Sequence, residues 1–225
     1  MKKSKGVLYI LYDFGSPITY LDELRTSIQS LRQHCDLPIT VYTNEESLDL
    51  GDNFKEVTIT QKEIENMPTD ESINSGDLLK ELKRGHSYPK LYYFKDLPYD
   101  TTIFLDVDTL VLADPSKLIS KDYDLAICRE VRYKKGQHSR LQKAFNSGFF
   151  IANKSEGYNR LIDKALEIMK RDGLKSDQLS INKAFDYVYD INVRLLPQKW
   201  NVRGKTKPPI PWEDHKIRHW HKGIK

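Results

Sequence analysis

The stretch that decides how this chain is read is Ile103-Phe104-Leu105-Asp106-Val107-Asp108-Thr109-Leu110-Val111-Leu112. Two carboxylates stand one residue apart inside an otherwise apolar, β-prone run. Desolvating an unpaired carboxylate costs roughly several kcal/mol, so a pair of them needs a compensating cation. In extended chain, residues i and i+2 share a face. Asp106 and Asp108 are therefore expected to offer oxygens to one hard divalent ion, Mg²⁺ or Mn²⁺. A strand that merely ends in a polar turn would also place Asp there, but the apolar run resumes at once with Leu110, Val111 and Leu112.

Outward from that run, strand signals alternate with helical ones, which predicts α/β architecture. Residues 7–12 read as a first strand. Leu21, Leu24, Ile28 and Leu31 recur at helical spacing, and Thr19 with Asp22 resembles a capping box. Residues 39–43 read as a second strand and 54–60 as a weaker third. Residues 45–77 are acidic and irregular. A helix over 90–97 leads into the Asp-x-Asp strand. Further on, 124–128 and 149–152 are strand-like, separated by a basic run without periodicity. Tyr158, Leu161, Ile162, Ala165, Ile168 and Met169 mark an amphipathic helix that Ser155 caps and Gly173 stops. A second helix follows Ser176, carrying Leu179, Ile181 and Phe185. Residues 191–196 form a last strand. The tail from Asn201 holds the extended piece Lys207-Pro208-Pro209-Ile210-Pro211 and ends in Arg218-His219-Trp220-His221-Lys222-Gly223-Ile224-Lys225. Repeats and a separate second domain are absent from the pattern.

The 225 residues fit one domain of ordinary size. At 39% hydrophobic and 30% charged the chain is globular in composition, and its net charge of +4 is too small to indicate nucleic-acid binding. Cys35 and Cys128 lack metal-ligand spacing and read as free thiols of a reducing compartment. The apolar run after the basic start is short and meets Asp13, so it reads as a strand rather than a signal peptide. No segment approaches the roughly 20 apolar residues of a membrane span. A cytoplasmic location is expected.

The Asp-x-Asp run admits two enzyme chemistries. Haloacid dehalogenase-type phosphatases use a similar string, Asp-x-Asp-x-Thr, in which the first Asp is a nucleophile and the second an acid/base. Here about a hundred residues of α/β pattern precede the motif, and the downstream acidic motif of such phosphatases is missing. The closer resemblance is to metal-dependent glycosyltransferases with the A-type fold, and within them to family 8, which includes glycogenin and bacterial lipopolysaccharide galactosyltransferases. Its blocks occur in the family's order. Tyr88-Pro89-Lys90-Leu91-Tyr92-Tyr93-Phe94, Leu97-Pro98 and Phe104 to Val111 resemble the central block. Phe145-Asn146-Ser147-Gly148-Phe149-Phe150 resembles the Phe-Asn-Ser-Gly block. Ser176-Asp177-Gln178 with Asn182 resembles the Asp-Gln segment, and the His-rich end resembles the His…Gly-x-Lys closure.

That resemblance implies roles for individual residues. Asp108 would bind the metal directly, and Asp106 would bind it and also approach the ribose, with Val107 between them on the donor. A C-terminal histidine would be the third ligand: His219 is the better match, with His221 as the alternative. Leu11, Tyr12 and Asp13, at the end of the first strand, and Tyr20 would hold the nucleoside, with Tyr20 or Tyr12 stacking on the base. Lys90 and Lys225 would contact the donor's phosphates or sugar. Asn146, Ser147 and Gly148, read as a small polar turn before a strand, would bond the sugar. Asp177 would hold donor-sugar hydroxyls, and Gln178 would lie near the anomeric carbon. Retention of configuration is implied by the family alone. No glycine-rich phosphate loop is present, which suits a site where metal carries the phosphates.

The expected protein is thus a single A-type glycosyltransferase domain over 1–225, with a mixed, mainly parallel central sheet flanked by helices. Residues 1–113 form its nucleotide-binding half, 114–200 its sugar and acceptor half, and 201–225 a tail that closes over the donor. It would move a hexose from a UDP-sugar to an acceptor hydroxyl on a glycan, lipid-linked or protein acceptor, with Mn²⁺ or Mg²⁺. The basic run Arg129, Arg132, Lys134, Lys135, Arg140 and Lys143, offset by Glu130 alone, would steer an acidic acceptor. The rival outside enzymes is a non-catalytic sugar-nucleotide binder.

Overall fold

A computed structural model describes residues 4–12, 20–62, 90–129, 145–174, 176–203 and 211–219. A seven-stranded sheet runs through the middle. It contains β1 (Lys5–Leu11), β2 (Ile39–Thr43), β3 (Thr58–Gln61), β4 (Thr101–Leu105), β6 (Leu125–Arg129), β7 (Phe145–Asn153) and β8 (Val193–Leu196). Their spatial order is β3-β2-β1-β4-β7-β6-β8. All pairings are parallel except those of β7, which runs antiparallel to both β4 and β6.

Strand alternation assigns the two faces. Val7, Tyr9 and Leu11 join one core with Ile103, Leu105 and the inner face of α1 (Leu21–Arg32), which supplies Leu24, Ile28 and Leu31. Leu8 and Ile10 join the other, with Phe104, Phe150 and three helices. These are α2 (Lys90–Phe94), α3 (Glu156–Arg171) and α4 (Asp177–Ala184). Sealing an aliphatic side chain such as Leu24 or Leu161 from water contributes about 1.5–3 kcal/mol. These faces therefore decide the layering.

The helix limits follow local chemistry. Ser155 Oγ accepts from the Tyr158 N–H at 3.2 Å, as expected, and Gly173 ends α3 with φ +60°. Ser176 caps α4: its Oγ accepts from the Leu179 N–H at 3.3 Å. Position Tyr20 opens α1 without a side-chain cap, so Asp22 closes no capping box there. Thr19 lies outside the described residues. The helix expected over 90–97 is shorter, because the chain turns at Lys95 and Asp96.

Two strand expectations are corrected. The Asp-x-Asp run is not one strand. β4 stops at Leu105, the carboxylates sit in a turn, and β5 (Thr109–Val111) belongs to a separate three-stranded sheet. The carboxylates therefore converge through the turn rather than through the two-residue pleat. Asn146, Ser147 and Gly148 do not precede a strand but lie inside β7. There the pairing with β6 jumps from Ile127↔Phe150 to Cys128↔Asn146. Residues 147–149 form an arch, a bulge in the ladder. The tail, read as an extended end, supplies β9 (Val202–Arg203) and β10 (Ile217–His219). They complete the small sheet in the order β5-β10-β9.

The order of the large sheet reverses between β1 and β4. Ligands bind beyond the carboxyl ends of parallel strands at such a switch point. Leu11 and Tyr12 end one of these strands, and Asp106 ends the other.

Buried hydroxyls bolt the Asp-x-Asp turn to the core. Tyr9 Oη lies 3.0 Å from Ser27 Oγ, which lies 2.7 Å from Thr109 Oγ1. Thr109 Oγ1 donates to the Asp106 carbonyl at 2.7 Å. Ser27→Ala removes the middle of this chain. It should cost about 1–3 kcal/mol, the penalty for stranding buried hydroxyls, visible as a lower urea midpoint with an unchanged m-value. An unchanged midpoint would show that the chain of hydroxyls does not hold the turn.

Candidate metal and donor site

Asp106, Asp108 and His219 each offer a ligand atom, and those atoms lie within 4.8 Å of one another. His219 Nδ1 is 3.4 Å from Asp108 Oδ1 and 3.9 Å from Asp106 Oδ2. His219 reaches them because β10 pairs antiparallel with β5, the strand that leaves the carboxylate turn, with His219 opposite Thr109. His219 is 1% exposed, yet neither ring nitrogen has a hydrogen-bond partner. A buried imidazole left with two unmet nitrogens is costly. Two carboxylates and one imidazole form a donor set suited to Mn²⁺ or Mg²⁺. The residues therefore fit a divalent ion.

The arch of β7 closes one wall. The Asp106 N–H donates to the Gly148 carbonyl at 2.9 Å. A Cβ on Gly148 would lie 2.4 Å from His219 Cε1 and 2.7 Å from Asp106 Oδ2. Gly148 is thus a space requirement of the triad, a role that its place in the Asn-Ser-Gly block did not reveal.

Lys90, the first residue of α2, forms a 2.6 Å ion pair with Asp106 Oδ1. Burial alone would lower its pKa. The carboxylates of Asp106, Asp177 and Asp108 outweigh that and raise it, so the ammonium stays charged. Asp177 is 3% exposed, and its Oδ2 lacks a hydrogen-bond partner. Burial pushes its carboxyl up, and Asp106 adds to that. Lys90 opposes both, as do hydrogen bonds from Ser147 and Gln178. Lys90, Asp106, Asp177 and Ser147 therefore share one electrostatic cluster. Gln178 adjoins it, its Oε1 accepting from the Ser147 N–H at 3.4 Å. Asn182 ties α4 to the start of β7, accepting from the Phe145 N–H at 2.6 Å and donating back to its carbonyl at 2.9 Å.

On the β1 side, burial raises the pKa of the Tyr20 hydroxyl, and the nearby Asp108 and Glu23 carboxylates raise it further against the pull of Lys90. Tyr20 therefore stands within the field of the carboxylate pair. Tyr12 packs on Tyr93, with ring centroids 6.1 Å apart. The Leu11 side chain is in the core and Val107 is partly buried against it, so contacts from these two to a ligand fall to the backbone. Asp13, His221, Lys225 and the basic run beyond Arg129 lie outside the described residues. One site residue escaped the sequence reading. Asn201, between Trp200 and β9, donates to Asn146 Oδ1 at 2.8 Å. An Asn at a strand start reads as an ordinary turn residue, and no local signal marks it.

A mixed, mainly parallel sheet with an Asp-x-Asp turn at the carboxyl end of β4 defines the class: the A-type glycosyltransferase fold. The chain belongs to glycosyl transferase family 8, whose model matches residues 14–225. No curated protein matches it by sequence. Its fold is similar to that of the glycosyltransferase GlyE of Streptococcus pneumoniae TIGR4, at 14% identity and a TM-score of 0.66. That match covers 99% of this chain and 55% of GlyE, so the chain spans about half of that protein's length. It is also similar to the galactosyltransferase LgtC, solved with donor and acceptor sugar analogues, at 13% identity and a TM-score of 0.61 over 98% of this chain and 88% of LgtC. Mouse xyloside xylosyltransferase 1 matches at 13% identity and a TM-score of 0.58 over 99% of both chains. Among the described residues no helix is long and apolar enough to cross a membrane.

Proposed function

We propose that this chain is a metal-dependent glycosyltransferase that moves a hexose from a UDP-sugar to an acceptor hydroxyl, with retention of configuration. The observation that carries the reading is the convergence of Asp106, Asp108 and His219, each with one ligand atom within 4.8 Å of the others, where the buried His219 ring has no hydrogen-bond partner on either nitrogen. Those three residues would hold Mn²⁺ or Mg²⁺. When bound, such an ion supplies a Lewis acid for the charge that builds on a diphosphate leaving group.

The other roles belong to the chain itself. Tyr12 or Tyr20 stacks on the base at the switch point, where Leu11, Asp13 and Val107 line the nucleoside. Lys90, held charged by three carboxylates, offsets donor phosphate charge, and Lys225 closes on it from the tail. Asp177 binds donor-sugar hydroxyls, and Gln178 stands near the anomeric carbon. Ser147 presents its hydroxyl beside them. In this reading residues 1–113 bind the nucleotide, 114–200 the sugar and acceptor, and 201–225 form the closing tail of a single domain. The basic run that begins at Arg129 favours an acidic glycan, lipid-linked or protein acceptor, and the enzyme works in the cytoplasm.

A thermal-shift screen of UDP-sugars, each with and without Mn²⁺, tests the reading. A ligand at a hundred times its Kd stabilises the folded state by about 2.7 kcal/mol. A UDP-sugar should raise the melting temperature only when Mn²⁺ is present. His219→Ala should abolish that metal dependence, and His221→Ala should keep it. Equal shifts with and without metal in the unsubstituted protein would refute the metal assignment.

A further inference from the structure

Asn146 is expected to bond the donor sugar, yet its side-chain oxygen is already engaged twice. It accepts from the Gly148 N–H at 2.9 Å and from Asn201 Nδ2 at 2.8 Å. A carbonyl oxygen has two lone pairs, so both are committed within the protein. The two asparagines are 3% and 4% exposed. Their bond joins parts of the chain 55 positions apart. Asn146 stands at the foot of the β7 arch. Asn201 leads directly into β9, which pairs with β10 so that Arg203 lies opposite His219.

The amide orientations are determined by this arrangement. The Gly148 N–H can only donate, so Asn146 must present oxygen there. Asn201 must then present its amino group to the same oxygen. That leaves Asn201 Oδ1 buried without a hydrogen-bond partner. An unmet buried acceptor lowers stability. Asn201 is therefore poorly explained as a packing residue. The same arch carries Gly148, whose Cα faces the edge of the His219 ring closely enough that a Cβ would sit 2.4 Å from Cε1.

We propose that Asn201 and Asn146 are positioning residues of the metal pocket. Their hydrogen bond clamps the Ser147-Gly148 arch against the small sheet that carries His219. The clamp thereby sets the separation of His219 from Asp106 and Asp108. Neither asparagine is a ligand. The inference rests on the metal reading of the triad. It assigns to Asn146 a task other than holding the sugar through its oxygen, and to Asn201 a task where none was expected.

The test is titration of the protein with Mn²⁺ alone, followed by the paramagnetic resonance signal of the free ion. Donor binding is measured separately by calorimetry with a UDP-sugar. Asn201→Ala should weaken Mn²⁺ binding about tenfold or more, the range for residues that orient metal ligands. Asn146→Ala should weaken it at least as much, because it also removes the acceptor of the Gly148 N–H, and the double variant should be no weaker than Asn146→Ala, because Asn201 acts through Asn146. Asn201→Asp keeps the volume and loses the donor. Rotating the Asn146 amide cannot rescue it, since that would turn an amino group on the Gly148 N–H. It stands in for Asn201→Ala if that variant does not fold by circular dichroism. Unchanged Mn²⁺ affinity in a folded Asn201 variant, or losses that add in the double variant, would overturn the clamp. If the unsubstituted protein binds Mn²⁺ but no UDP-sugar, the donor reading fails while a loss in the Asn201 variants still supports the clamp. If it binds no Mn²⁺, both fall.

Discussion

Gly148→Ala should abolish metal-dependent donor binding while leaving the protein folded. The added methyl carbon would lie 2.4 Å from His219 Cε1, 2.7 Å from Asp106 Oδ2 and 3.0 Å from His219 Nε2. These are distances at which something must move. The arch is held by the Gly148 N–H to Asn146 and by the Gly148 carbonyl to the Asp106 N–H, so it cannot easily withdraw. The side chains that can move are the two ligands themselves. Overpacking of this kind costs about 1–3 kcal/mol of stability, which a domain of this size survives. Displacing two ligands should weaken Mn²⁺ binding roughly a hundredfold and transfer activity with it. Calorimetry with Mn²⁺ and circular dichroism together check the claim. A folded Gly148→Ala protein with normal Mn²⁺ affinity would mean that the closeness of Gly148 to the triad is incidental.

Asp108→Asn is the second large effect. The substitution preserves shape and removes one charge from the triad. Losing a ligand carboxylate should cost about 4 kcal/mol of transition-state stabilisation, a factor of roughly 1000 in kcat/KM. Stability without metal should change far less. Lys90 keeps Asp106 as its counterion at 2.6 Å, and Asp108 adds to the field that holds the Lys90 ammonium charged. Asparagine gives up that attraction and relieves the repulsion from Asp106, so the metal-free variant should melt close to the unsubstituted protein. The variant should also lose the gain in melting temperature that Mn²⁺ confers. Retained activity and retained Mn²⁺ stabilisation would remove Asp108 from the metal site. The two variants separate steric from electrostatic causes: Gly148→Ala keeps every charge, and Asp108→Asn keeps every volume.

The strands and helices with clear periodicity were legible in the sequence. β2 falls on residues 39–43 as read, and α3 has the expected serine cap and glycine stop, because these features depend on neighbours a few residues apart. The pairing of Asp106 and Asp108 was legible too, since two carboxylates inside an apolar run have few stable uses. So was the third member of the group. Family resemblance set His219 beside the two aspartates, and the fold brings a ligand atom of its ring within 4.8 Å of theirs.

Only the tertiary structure decided how those residues meet. An apolar run with two aspartates reads as one strand, but Leu105 and Thr109 pair with different sheets, and the carboxylates lie in the corner between them. β5, β9 and β10 are three, two and three residues long, too short to leave any period in the sequence. Their pairing is decided by partners far away along the chain, as in His219 opposite Thr109. The arch of β7 reads locally as a turn because Asn, Ser and Gly are turn residues. It becomes part of a strand because β4 accepts it on one side and β6 pairs around it on the other. The space at Gly148 and the bond from Asn201 to Asn146 exist only once four separate segments have packed together. The sequence by itself therefore determined the chemistry available to this protein. Long-range pairing and close packing, which no local pattern encodes, decided the geometry in which that chemistry can act.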